Sequence, residues 1–432
     1  MRILQTVHGF LPEATGGVEL RCFYLSRELA KHHDVSIFCR TGKADLADYD
    51  LVRDEVDGLE VVRVNYNFGD CTGFEGIYKN ERIERIFEER LDEFRPDVVH
   101  IHHLTCLSTG IPALLRRRGI PCVMSLHDFW LSCPRGQIIR TDLSICDPIE
   151  RNRCLPCLQA MWPHFQWEKR TGIPARLFGD GSMSRIEEYD RWIREVLKTP
   201  DQMFAPCDFH REKFIELGVP ADRIRKMAYG FDMSMFDGAA ERREASDRIR
   251  VGYIGSVIPT KGLHVVLEAF EGIDPAKASL DIYGEIPVFH GDTTYRDRVD
   301  AGIREDRGIR IHGRYENKDL PDILAKIDVL VVPSVWYETF SITIREGWMA
   351  GIPVVASDLG AMGESIEHDV TGLKFAPGDA ADLREKLQSL IDDAALRQRL
   401  IDAPKPIKSI EDNGVEIAGI YQELIDRAAA TR

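Results

Sequence analysis

The chain lacks a basic excess: 56 Lys and Arg stand against 71 Asp and Glu, a formal net charge of −15. This excludes a general nucleic-acid binder, which needs a cationic face. It lacks any run of ~18 consecutive apolar residues, so no helical membrane span is expected. Its opening residues, MRILQTVHGF, enter a strand pattern at once. They lack the longer apolar stretch and cleavage site of a secretory leader, so the expected location is cytoplasmic. It lacks internal repeats and low-complexity segments. Ten cysteines are present; in a chain of this kind they are thiols or metal ligands rather than disulfides.

With 432 residues, 44% apolar and 29% charged, the chain is globular and too long for one ordinary core, so two domains are expected. Strand and helix patterns alternate. RILQTV is followed by GGVELRCFYLSRELAKHH, in which Val18, Cys22, Leu25 and Leu29 recur at helical spacing. Later apolar runs are DVSIFCR, DVVHIHH (97–103), CVMSLHD (122–128) and QMFAPC (202–207). DGAAERREASD (237–247) has almost no large apolar residue and reads as a linker. A second series follows: RIRVGYIG, LDIYG, IRIHG, VLVVPS, PVVASD and GLKFAP. Buried runs separated by helices predict two doubly wound parallel sheets, an α/β fold of two Rossmann-like domains facing across a cleft. The expected spans are 1–240 with a Cys-rich insertion near 133–160, 248–405, and a terminal helix at 406–432 packing back on the first domain.

Ligands of such sheets sit at the carboxyl ends of the strands. Gly16 and Gly17, His127, Lys261 and Glu338 fall there. The segment VVPSVWYETFSITIREGWMAGIPVVASD carries two acids, Glu338 and Glu346. Between them a helix is predicted to begin near Ser341, offering free N–H groups and a positive dipole end to a phosphate. Phe340, Ser341 and Ile342 stand at that mouth as donor-binding positions. Glu346, about one turn in, has two acceptor oxygens for the vicinal hydroxyls of a ribose. Glu338 would face whatever hangs from the diphosphate. If that is a sugar, it accepts the sugar's hydroxyls.

The Glu-x7-Glu spacing, followed by AGIPVVASDLGAMGESIEHDVTGLKFAPGD, resembles retaining nucleotide-sugar glycosyltransferases of family 4, with the GT-B fold. TGGVE, PDVVHIHH, LHD, FIELGVPADRIRKMAYGFD and GYIGSVIPTKGLHVVLEAF resemble that family in its usual order. The resemblance implies that Lys261 holds the donor diphosphate and that Gly16 and Gly17 let the backbone approach the donor. It implies that His127 meets the donor sugar near the reacting carbon; Glu19, in the first helix, is a candidate to meet the acceptor or the donor. Ser256 stands where the family often has an arginine paired with the lysine; Arg314 and Arg345 are the candidate replacements. The implied reaction moves a sugar from a UDP-, GDP- or dTDP-sugar to a glycan or lipid-linked acceptor, in cell-surface polysaccharide or glycolipid synthesis, with no catalytic metal. No Asp-x-Asp metal motif lies near the site.

Cys133, Cys146, Cys154 and Cys157 fall within 25 residues of each other, which suits a tetrahedral structural zinc. The alternative is four buried or free thiols. HIHH reads as a structural strand end rather than a metal site. LLRRRG (114–119) and EKRTGIPARLF (168–178) are basic patches that either contact anionic lipid or simply end helices. The rival functions are a nucleotide-sugar 2-epimerase on the same fold and a non-catalytic, zinc-stabilised nucleotide-sugar-binding protein.

Overall fold

The computed structural model describes the chain except residues 72, 163–181, 240, 241, 244, 290–292 and 432. The basic patch at 168–178 lies outside the described residues. Two compact units are present. One holds Met1–Gln137, Asp147–Asp232 and Lys408–Arg432, the other Ile138–Cys146 and Met233–Ile407.

The first unit is built on an eight-stranded sheet. Its strands run, edge to edge, Leu51–Val56, Leu59–Asn65, Asp34–Thr41, Arg2–Val7, Val98–Ile101, Cys122–Ser125, Gln202–Ala205 and Ile224–Lys226. Every pair is parallel except the Leu51–Val56/Leu59–Asn65 hairpin. The central strands are buried end to end, as a sheet covered on both faces requires. The helix Gly17–Ala30 buries Cys22, Leu25 and Leu29 against the sheet and carries Glu19 in its first turn, where an anion is favoured. The last helix, Ile410–Thr431, belongs to the same core through Ile417, Ile420, Tyr421 and Leu424. Each such side chain contributes about 1.5–3 kcal/mol by burial.

The second unit has a six-stranded, all-parallel sheet in the order Ile309–Gly313, Ala278–Tyr283, Ile249–Ile254, Val329–Val332, Val354–Ser357, Leu373–Phe375. One face packs the helices Leu263–Phe270 and Ala380–Asp392. The other packs Ile344 and Trp348 of the helix Ile342–Met349, together with Leu320, Ile323 and Leu324.

The four-thiolate zinc site is not formed. Among the described residues no three His, Cys, Asp or Glu side chains converge on a metal position. The four cysteines sit in different local structures. The Cys133 backbone N–H donates to the Phe129 carbonyl (2.7 Å) in a turn, and that of Cys146 to the Ile138 carbonyl (2.9 Å). Cys154 and Cys157 fall in the first turn of the helix Cys154–Met161, one buried and the other half-buried. The basic run 116–118 is the last turn of the helix Ile111–Arg118, where cations meet the negative dipole end. Arg118 is also bridged to Glu88 and Asp92. Among the described residues no helix is long and apolar enough to cross a membrane.

Candidate functional site

In the second unit, two loops at the carboxyl end of the sheet are stapled together. The Val335 backbone N–H donates to the Thr260 carbonyl at 2.9 Å. Gly262 has φ +73° and lies so close to the neighbouring loop that a Cβ there would stand 2.0 Å from the Pro333 carbonyl oxygen. Only glycine permits this approach. The result sets Lys261 beside Glu338, with Nζ 2.7 Å from Oε1. Ser334 Oγ (2.7 Å) and Trp336 Nε1 (2.9 Å) donate to the same oxygen. Glu338 is 9% exposed and Lys261 one-third exposed. Burial alone would raise the Glu338 carboxyl; the charge and hydrogen bond of Lys261, with the other two donors, hold it below its ordinary value.

The helix Ile342–Met349 starts on Ser341, whose backbone is left-handed (φ 56°, ψ 78°) and whose side chain makes no capping bond. A non-glycine residue there costs of order 1 kcal/mol. Arg345 turns back to donate to the Phe340 and Ser341 carbonyls and stacks 4.0 Å from the Phe340 ring centre. These bonds tie it to the loop that precedes the helix. Ser256 is exposed and accepts from the Tyr253 hydroxyl through its backbone carbonyl (2.9 Å). Arg314 is exposed. Glu346 is half-buried, and no hydrogen bond to its carboxylate is present among the described residues. Burial pushes it up to about 7.

The first unit gathers different chemistry at its strand ends. His127 is buried, and both ring nitrogens are engaged: Nε2 with His102 Nδ1 (3.0 Å) and Nδ1 with the Tyr229 hydroxyl (2.5 Å). His102 Nε2 meets Gln5 Oε1 at 2.9 Å. With Gln5 accepting, the bonds run one way: the Tyr229 hydroxyl donates to His127, His127 to His102, and His102 to Gln5. Burial, with the nearby Arg21 guanidinium and neighbouring histidines adding to it, drives His127 well below its ordinary value, so the ring is neutral. His100 is pushed down to about 3 by burial and is bonded to Tyr421 and Ser125; HIHH is a structural strand end. Glu19 is buried against His8 (Oε1 to Nε2, 3.1 Å). Burial would raise Glu19, but the His8 bond holds it below its ordinary value. A Cβ on Gly16 would lie 2.7 Å from Glu19 Oε2, so glycine leaves that carboxylate its place. Gly16 and Gly17 are exposed.

The structure therefore brings Lys261 to Glu338 and sets Glu346 on the helix that Ser341 opens; it places His127 and Glu19 in separate hydrogen-bonded pairs of the first unit. Sequence reasoning missed Ser334 and Trp336, which lie in the bent loop past the strand Val329–Val332, where no period marks the side a residue faces. It also missed His8, the first residue past the first strand.

Two tandem Rossmann-like units of this kind define the GT-B class of glycosyltransferases. The solved structures similar to the chain share that fold. Sucrose-phosphate synthase of Thermosynechococcus elongatus has a TM-score of 0.70 and 17% identity, with 99% of each chain covered. Anabaena HepE in complex with UDP and glucose has a TM-score of 0.67 and 16% identity over 97% of this chain and 99% of its own. In sequence, the glycogen synthase of Mycobacterium tuberculosis is 25% identical over 92% of this chain and 88% of its own. The MMP alpha-(1->4)-mannosyltransferase of Mycolicibacterium hassiacum is 23% identical over 96% of each. The family model for Glycosyltransferase Family 4 matches residues 15–234, and that for Glycosyl transferases group 1 matches 248–393. The chain belongs to Glycosyltransferase Family 4 and is a glycosyltransferase.

Proposed function

We propose that the protein transfers a sugar, with retention of configuration, from a nucleoside-diphosphate sugar to a hydroxyl of a glycan or lipid-linked glycan. The observation that carries this reading is the helix start at Ser341: uncapped, strained, and followed by a carboxylate, Glu346, that has no donor of its own. A diphosphate satisfies the N–H groups and the ribose hydroxyls satisfy Glu346. UDP is the proposed nucleotide, since HepE was solved with UDP and glucose. Glu338 takes the sugar's hydroxyls, and Phe340 and Ile342 flank the phosphates. His127 and Glu19 are the proposed sugar-facing and acceptor-facing groups of the first unit. His127 can serve only by giving up its bond to Tyr229.

In the reaction, the bond between the anomeric carbon and the diphosphate oxygen breaks as the acceptor oxygen adds to the same face. The acceptor's proton passes to the departing phosphate. The diphosphate gains charge only as that bond breaks, so Lys261 and the helix N-terminus act most strongly at the transition state. They supply the positive charge, and the proposal is transfer without a divalent metal; activity retained in EDTA tests it. A cytoplasmic location, a role in surface-glycan synthesis and contact of the exposed Arg116 and Arg117 with anionic lipid belong to the same reading, with vesicle co-sedimentation as the test of the last.

A thermal-shift panel of nucleotide sugars tests the donor. A ligand at 100 times its dissociation constant stabilises by ~2.7 kcal/mol, and a UDP-sugar should give the largest shift. NMR of the product should show the donor's anomeric configuration kept. Release of an epimerised free sugar in place of transfer would point to the epimerase reading.

A further inference from the structure

We infer that the first unit carries a second saccharide subsite, remote from the reacting bond, which holds a neutral sugar of an extended glycan acceptor. The inference rests on the glycosyl-transfer reading and names the acceptor class. A cavity of about 490 Å³ opens beside Tyr49, Tyr66, Tyr78 and Asn80, within the ~300–1,000 Å³ of small-ligand pockets. Its position is set by the sheet. Tyr66 follows the last residue of the strand Leu59–Asn65, and Asn80 caps the helix Glu81–Phe94. The cavity thus lies at the carboxyl edge of the parallel strands, where ligands of such sheets bind. It is two strands away from Arg2–Val7, whose end bears Gly16 and Gly17. At ~4.8 Å per strand that is an offset of roughly 10 Å, more than one sugar ring spans. An occupant here is a different residue of the acceptor from the one that reacts.

Charge decides the class of ligand. Glu75 pairs with Lys79 (2.6 Å), which also faces Glu188 (3.9 Å), and Arg82 faces Asp70 (3.8 Å). Glu81 adds one further acid, Arg85 and Arg185 two further cations. Four acids thus balance four bases, which leaves no net field for a phosphate or a cation. An apolar ligand would desolvate these charges at a cost. A polyol does neither: each hydroxyl donates to a carboxylate and accepts from a cation. The wall is also organised before any ligand arrives. The Tyr49 hydroxyl donates to Asp70 (2.6 Å) and accepts from Asn80 Nδ2 (3.2 Å), and the Arg82 guanidinium lies 3.8 Å from the Tyr49 ring centre.

Calorimetric titration of the full chain saturated with UDP tests this, using glucose, mannose and the α-linked gluco- and manno-tetraoses as probes. At least one tetraose should bind about tenfold or more tighter than its monosaccharide, and Arg82→Ala and the milder Tyr49→Phe should each erase most of that advantage. Urea denaturation of the same preparations verifies that the first unit of each variant is folded, and UDP titration that the second is. Tetraoses that bind no tighter than monosaccharides to UDP-loaded protein would overturn the subsite and leave the donor reading intact. An advantage that survives both substitutions would overturn it as well. Absence of UDP binding altogether would instead remove the donor reading, and the subsite with it.

Discussion

The two strand-end sites solve opposite problems. In the first unit a histidine series is held neutral and bonded in line, Tyr229 to His127 to His102 to Gln5, with only the Gln5 amide nitrogen of the series left without a partner among the described residues. In the second unit charge is kept and bonds are left unmade. Lys261 pairs with a Glu338 carboxyl held below its ordinary value, the helix start at Ser341 has no side-chain cap, and Glu346 lacks a donor. A satisfied network rigidifies its surroundings but offers a ligand little. An unsatisfied one is a standing cost that only a ligand relieves. The comparison assigns ligand-dependent electrostatics to the second unit and positioning to the first, and it can be broken from either side.

The largest expected effect is at Lys261. Lys261→Ala should lower turnover by ~100-fold or more, on the scale of losing one preorganised donor, with a smaller change in the Michaelis constant. The substitution also leaves the Glu338 carboxylate buried with only Ser334 and Trp336, so donor-sugar selectivity should loosen. Steady-state kinetics with two sugars on one nucleotide measure both. A raised Michaelis constant with turnover intact would make the lysine a ground-state anchor.

Next comes Glu346. Its folded value of about 7 lies above the ordinary 4.5, so between those values the folded protein holds a proton that the unfolded chain has released. The unliganded protein therefore loses stability as pH rises through that window. Glu346→Gln should remove the loss and leave the variant more stable than the wild type above pH 7, by up to ~3 kcal/mol. The same variant should bind UDP about tenfold or more weakly, since the ribose hydroxyls lose a charged acceptor. Wild-type binding near pH 6 should release close to one proton, read by calorimetry in buffers of different ionisation enthalpy. The variant should release about one proton fewer than the wild type, the terminal phosphate of UDP contributing equally to both. A wild type that binds UDP without proton release would detach Glu346 from the ribose.

The architecture was legible in the chain because buried parallel strands are continuous apolar runs, and VLVV and VVAS read as such on sight. The hairpin Leu51–Val56/Leu59–Asn65 was not. Its outer strand is largely exposed and carries Arg53, Asp54 and Glu55, which erase the apolar run. The acids of the site were legible from their place past a strand and inside an apolar helix. Their partners were less so, since the Lys261–Glu338 pair joins residues 77 positions apart and depends on Gly262 lying against Pro333. Four cysteines within a short span looked like a ligand set, but spacing alone says nothing of direction. The helix Cys154–Met161 and the turns at Cys133 and Cys146 are not read from spacing, and among the described residues no ligand set is formed.

The smallest predicted effect tests the other side of the comparison. Tyr229→Phe deletes the hydroxyl that donates to His127 Nδ1 and leaves the ring in place. The acceptor left behind is a buried, neutral imidazole nitrogen, so the loss should be about 1–3 kcal/mol of stability, the cost of leaving one buried group unpaired. Urea denaturation with an unchanged m-value would show this as a lower midpoint. UDP affinity should stay at the wild-type level, because the groups assigned to the nucleotide, Lys261 and Glu346, belong to the other unit. Freed from Tyr229, His127 can turn its tautomer over, and its ring-nitrogen NMR shifts should move while those of His100 stay put, since His100 is held separately by Tyr421 and Ser125. If stability and the His127 shifts are both unchanged, the histidine series is not closed by Tyr229. If UDP affinity falls tenfold, positioning and nucleotide binding are not divided between the units as the contrast of their strand ends requires.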